Sequence, residues 1–96
     1  MVHDPGLRLD KWLWFARLAQ SRSQAANLCE ARRMRLDGRV IEKASTCVRP
    51  GAVLAFPQGE AVRVIKVEAL GDRRGPYPEA RQLYTDLALT PGAAAL

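Results

Sequence analysis

The stretch RLDKWLWFARLAQSRSQAANLCEARRMRLDG, residues 8–38, constrains this chain more than any other part. Leu9, Trp12, Leu13 and Ala16 recur at i, i+3, i+4 and i+7, the apolar stripe of a helix starting at residue 7 or 8 and running to about 19. Asp10 in its first turn complements the helix dipole. Trp14, Phe15 and Leu18 make the flanks apolar too, so the helix is either gripped on two sides or leaves a second patch exposed. Ser21-Arg22-Ser23-Gln24 fits the capping box S-x-x-Q, in which two side chains satisfy orphan backbone N–H groups. It starts a second helix over residues 22–31, with Ala25, Leu28 and Cys29 inward and Gln24, Asn27 and Glu30 outward. Met34-Arg35-Leu36 then alternates like a strand, Asp37-Gly38 is a two-residue hairpin turn, and Arg39-Val40-Ile41 is the return strand.

The same stretch is cationic. Arg8, Lys11, Arg17, Arg22, Arg32, Arg33 and Arg35 are opposed only by Asp10, Glu30 and Asp37. The formal net charge of +5 is one-sided: residues 1–50 hold ten Lys/Arg against five Asp/Glu, and residues 51–96 hold five against five. An excess confined to one half points to an anionic partner rather than to solubility alone. The polar content of the basic helices argues against a membrane surface.

At 96 residues the chain is expected to be one domain. Beyond the hairpin, Arg49-Pro50-Gly51 has the residue preference of a type II turn. Residues 52–56 make a short strand, residues 57–60 a turn, and residues 61–69 (AVRVIKVEA) the best strand. The alternation of that strand shifts phase at Val64-Ile65, which predicts a bulge or burial on both sides. After a loop over residues 71–78, Ala80, Leu83, Tyr84 and Leu87 fall at helical spacing, so a final helix is expected over residues 79–89. Residues 1–6 are expected to be a loose lead-in and residues 91–96 a frayed tail. Cys29 and Cys47 fit no zinc spacing, His3 stands alone, and two buried reduced thiols are expected. No run is long and apolar enough for a membrane span, and the N-terminus lacks a signal-peptide pattern, so a cytoplasmic protein is expected.

The order helix-helix-strand-turn-strand, with Arg8-Leu9-Asp10, Leu13, Ser21-Arg22-Ser23, Ala25 and Asp37-Gly38, resembles the RNA-binding domain of the ribosomal protein S-four type, the alpha-L motif. Lys43 and Ser45 stand where that family often has a basic residue and a serine. The likeness covers residues 8 to about 56, with residues 57–90 an extension. RLDKWLWFARL, with its Trp12/Trp14 pair, and the later Glu79-Ala80-x-x-Leu83-Tyr84 resemble the heat shock protein 15 family in particular. Arg32 departs from a position where family members often have glycine, and the long basic tail of many members has no counterpart before Leu96. The resemblance implies an α+β fold: two N-terminal helices packed on a small, mainly antiparallel twisted sheet of about four or five strands, with a C-terminal helix. It implies an RNA-binding module that associates with the large ribosomal subunit, on stalled subunits still holding a tRNA-linked nascent chain. No cofactor and no metal are expected.

The candidate RNA contacts are Arg8, Lys11, Arg17, Ser21, Arg22, Ser23, Gln24, Arg32, Arg33, Arg35, Arg39 and Lys43. Each has a plainer reading. Arg8 and Lys11 can pair with Asp10, Ser21 or Ser23 can serve as a cap, and Arg32 to Arg35 can settle a helix C-terminus. Arg22 opens a helix, where free N–H groups also favour phosphate. Arg33 and Arg35 share strand parity and project together, with Arg39 and Lys43 extending them across the hairpin. Trp12 reads as core, while Trp14 is the candidate for stacking or protein contact. Ribosomal RNA, tRNA, DNA and a protein partner remain open, and nothing resembles a long interface strip, so a monomer is expected. The lone His3 offers no nucleophile–base set, so catalysis is not expected.

Overall fold

The computed structural model describes residues 6–91. Helices α1 (Leu9–Phe15) and α2 (Arg22–Glu30) cover one face of a five-stranded antiparallel sheet. The sheet is built from β2 (Arg35–Leu36), β3 (Arg39–Val40), β5 (Val53–Gln58), β6 (Ala61–Val67) and β7 (Tyr84–Pro91), in the order β3-β2-β5-β6-β7. A separate two-stranded ribbon pairs β1 (Leu7–Arg8) with β4 (Cys47–Val48). A one-turn helix α3 (Tyr77–Ala80) and a 3-10 turn (Arg81–Leu83) lead into β7.

The apolar stripe of α1 does what its spacing requires. Leu9, Trp12 and Leu13 are fully buried with Ala25 and Cys29 of α2, Met34, and the inward residues Leu54, Ile65 and Val67 of the sheet. Burying side chains of this size contributes roughly 1.5–3 kcal/mol each before chain entropy is subtracted. The Trp12 indole N–H is satisfied inside this core by the carbonyl of Ala69 at 2.9 Å. Leu28 is only partly buried.

Helix α1 ends sooner than the apolar pattern extends. Arg17 takes a left-handed φ of 59° just past the end. Its N–H donates to the Trp14 carbonyl and the Leu18 N–H to the Leu13 carbonyl, the paired bonds of a Schellman stop. Helix α2 also stops at a left-handed residue, Arg32 at φ 59°. Both helices thus place arginine where glycine is usual. The Asp37-Gly38 turn has φ of 50° and 87°, the two positive values a tight hairpin needs. Ala52 N–H donates to the Arg49 carbonyl at 3.1 Å around Gly51 at φ 97°, so the type II turn forms as its residues indicate. The phase shift in β6 is a bulge: Val64 pairs with Ala88 and Ile65 with Asp86, leaving Leu87 unmatched.

Two expectations are corrected. No helix spans residues 79–89; helical turns stop at Leu83, and Tyr84–Pro91 is strand. Tyr84, Leu87 and Ala88 keep helical spacing and do not alternate, so the local pattern gives no sign of the strand. A short isolated helix is marginal, whereas pairing satisfies the open edge of the long β6 from Val67 to Ala61. Cys29 is buried, but Cys47 is exposed, because the alternation in β4 turns Val48 inward and Cys47 outward. Residues 1–5, including His3, and residues 92–96 of the expected tail lie outside the described residues. Among the described residues, no helix is long and apolar enough to cross a membrane.

Candidate nucleic-acid interface

Asp10 is the anchor of the cationic surface. Its carboxylate, 6% exposed, sits at the start of α1. Arg8 donates to it through Nε at 3.1 Å and through a terminal nitrogen at 2.9 Å. Arg22, the first residue of α2, reaches the same carboxylate at 3.4 Å. The Lys11 backbone N–H donates at 2.7 Å. Burial alone would raise the Asp10 pKa. The Arg8 hydrogen bonds, the charges of Arg22 and Arg8, and the Lys11 N–H outweigh burial and hold it below the usual carboxylate range. One buried anion therefore holds guanidiniums from two elements side by side, each about half exposed.

The second helix is fixed by the cap its sequence encodes. Ser21 Oγ accepts the Gln24 N–H at 3.0 Å, and Gln24 Oε1 accepts the Gln20 N–H at 2.6 Å, one residue earlier than in the standard box. Beyond α2, Arg32, Arg33 and Arg35 line one groove of about 300 Å³ with Val40, Ala55 and Pro57. Arg33 and Arg35 are exposed on either side of buried Met34, as strand parity requires. Arg32 pairs with Glu42 at 2.7 Å, and Arg35 donates to the Gly38 carbonyl at 3.3 Å. Arg33 has no partner among the described residues.

The other candidates separate. Arg39 pairs with Leu36, whereas Arg35 pairs with Val40, so Arg39 leaves the hairpin on the face opposite to Arg35. The two-residue turn forces that register, and the ridge of Arg33 and Arg35 does not continue onto Arg39. Lys43 and Ser23 are exposed. Lys11 Nζ lies 5.6 Å from the Phe15 ring. Arg17 is exposed but committed, donating through Nε to the Gly75 carbonyl at 2.6 Å. Trp14 is half-buried under Arg74, whose guanidinium lies 5.3 Å from its ring and donates to the Trp14 and Ala19 carbonyls. Residue pattern alone did not reveal that Arg74 clamps the end of α1, because 60 residues separate it from Trp14. Nor did it reveal Asn27, Leu28 and Pro57, which line a second groove beside Arg33.

This arrangement, two helices leading into a basic hairpin, defines an S4-domain protein, and the S4 domain family matches residues 7–54. The heat shock protein 15 homolog of Haemophilus influenzae is 40% identical over 80 residues, covering 83% of this chain and 60% of that protein. Heat shock protein 15 of Escherichia coli K12 is 37% identical over 82 residues, covering 85% of this chain and 61% of the relative. A solved trimeric structure of Vibrio cholerae heat shock protein 15 superposes with a TM-score of 0.79 at 40% identity, covering 85% of this chain and 82% of that one. The chain belongs to the heat shock protein 15 family. It spans about three fifths of the length of the curated relatives it matches.

Proposed function

We propose that this chain is a binding module, not an enzyme, that grips structured RNA through Arg8, Lys11, Arg22, Arg33 and Arg35. The observation that carries the reading is the convergence of Arg8 and Arg22 on one buried carboxylate, next to a helix start whose free N–H groups also favour phosphate. The S4 domain and the heat shock protein 15 relatives support RNA binding. Such a surface reads the shape of folded RNA through phosphates and 2′-hydroxyls. Ser21, Ser23, Gln24, Arg32 and Lys43 border the contact, while Arg17 and Arg39 take lesser parts.

The proposed target is ribosomal RNA of the large subunit in the cytoplasm, on stalled or recycling complexes during heat stress. Co-sedimentation with separated ribosomal subunits tests this, with wild type beside an Arg22→Ala/Arg33→Ala/Arg35→Ala variant. Wild type is expected to pellet with the large subunit and the variant to stay behind. Binding to tRNA, duplex RNA or DNA but to neither subunit would remove the ribosomal role. We take the free chain to be a monomer; the trimeric Vibrio relative supplies the contrary case, and sedimentation velocity decides between them.

A further inference from the structure

Two grooves meet at Arg33. The first holds the arginines described above. The second, about 210 Å³, runs between α2 and β5. Leu28, Ala31, Met34 and Pro57 give it apolar walls, and the amides of Gln24 and Asn27 stand at its rim. Arg33, Phe56 and Pro57 line both grooves. Gln24 uses its carbonyl oxygen on the Gln20 N–H, which leaves its NH₂ to point elsewhere. Neither the Asn27 amide nor the Arg33 guanidinium has a partner among the described residues.

We propose that these joined grooves seat a single unpaired nucleotide of the bound RNA, its base between α2 and β5 and its phosphate on Arg33 and Arg35. The inference rests on the RNA-binding reading above. The fitting ligand has a flat apolar body, a polar edge and an anion a short distance away. The slot offers apolar walls, amides at one rim and cations at its junction with the neighbouring groove. Charge complementarity selects the anion: Arg32, Arg33 and Arg35 crowd one groove, and only Arg32 has a carboxylate partner. Gln24 and Asn27 lie one helical turn apart, so both amides can meet one base edge. A base inside a duplex cannot enter, because its faces are stacked. A bulged or looped-out base can, and such bases are where RNA recognition reaches beyond shape.

The test compares two RNA hairpins that differ only by one bulged 2-aminopurine. Wild type is expected to bind the bulged hairpin about tenfold more tightly, a base's worth of contact. Its 2-aminopurine fluorescence should rise as the base leaves the stack. Ala31→Tyr fills the slot without changing charge, and Ala31 is exposed at the end of α2, so the fold should survive, as a thermal melt would check. This variant should bind both hairpins equally and leave the fluorescence unchanged. Arg8→Ala should weaken both hairpins alike and keep the preference. Equal binding of the two hairpins by wild type, or a preference retained in Ala31→Tyr, overturns the seat while leaving RNA binding intact. Failure to bind either hairpin overturns both.

Discussion

Replacing Asp10 by asparagine separates two effects of opposite sign. The substitution keeps the shape of the side chain and removes one negative charge beside the proposed phosphate contacts. By simple attraction the variant should bind RNA better. Two phosphates about 8 Å away each gain roughly 0.5 kcal/mol in water, and screening at physiological salt leaves about a twofold gain in affinity. The hydrogen bonds argue the reverse. Asp10 fixes Arg8 at 2.9 Å and Arg22 at 3.4 Å in the free protein. Ordering a long side chain on binding costs about 0.5–1.5 kcal/mol, so two arginines released from their anchor should lose roughly 2 kcal/mol. The net expectation for Asp10→Asn is binding about fifteenfold weaker at 0.15 M salt. The stability should fall by about 2 kcal/mol, near the low end for charged hydrogen bonds because both arginines are half in water. Filter binding and urea melts measure the two quantities separately. Binding that tightens or stays the same would refute the idea that Asp10 positions these arginines. Because the folded-state Asp10 pKa is depressed, its contribution to stability is complete above the ordinary carboxylate pKa. It should be lost only as the pH falls below that value, so stability should hold from pH 7 to 5 and drop in stronger acid.

Other variants probe the backbone and the thiols. A Cβ on Gly6 would stand 2.5 Å from the Val48 carbonyl oxygen at a φ of 84°, so Gly6→Ala should destabilise by more than about 2 kcal/mol in denaturant melts. Arg32→Gly should relieve the left-handed strain and lose an exposed ion pair, for a net gain of roughly 0–1 kcal/mol. A loss above about 1 kcal/mol would mean that the Arg32–Glu42 contact matters more than its exposure implies. Burial, with the charges of Asp10 and Glu30, pushes the Cys29 thiol up to about 11, while Cys47 is exposed. A thiol reagent at pH 8 should therefore modify one cysteine quickly, and Cys47→Ser should abolish that fast phase.

The parts of the fold written in local pattern were legible from the chain. The α1 stripe, the Ser21 cap, the Asp37-Gly38 turn and the bulge at Val64-Ile65 each depend on residues close in sequence. The last strand was not, because helix and strand compete over Tyr84 to Ala88 and the apolar spacing at 84, 87 and 88 favours the helix. Only the open edge of β6, a partner supplied by tertiary structure, decides between them. The same limit applies to the surface. Arg8 and Arg22 stand out as cations, but a shared carboxylate 12 residues from Arg22 is a three-dimensional fact. Parity correctly paired Arg33 with Arg35, while Arg39 was misassigned because the turn register sets its face. Arg32 and Arg17 show why composition alone misleads at helix ends: the left-handed stop survives without glycine, and in each case the arginine side chain is bonded nearby.

The most direct test is the salt dependence of binding to a structured RNA, for wild type and for Arg22→Ala/Arg33→Ala/Arg35→Ala. Five neutralised phosphates give a log–log slope on the order of −4, and removing three contacts should flatten it to about −2. A slope near zero, or the same slope for both proteins, would contradict a cationic RNA-binding face on these residues.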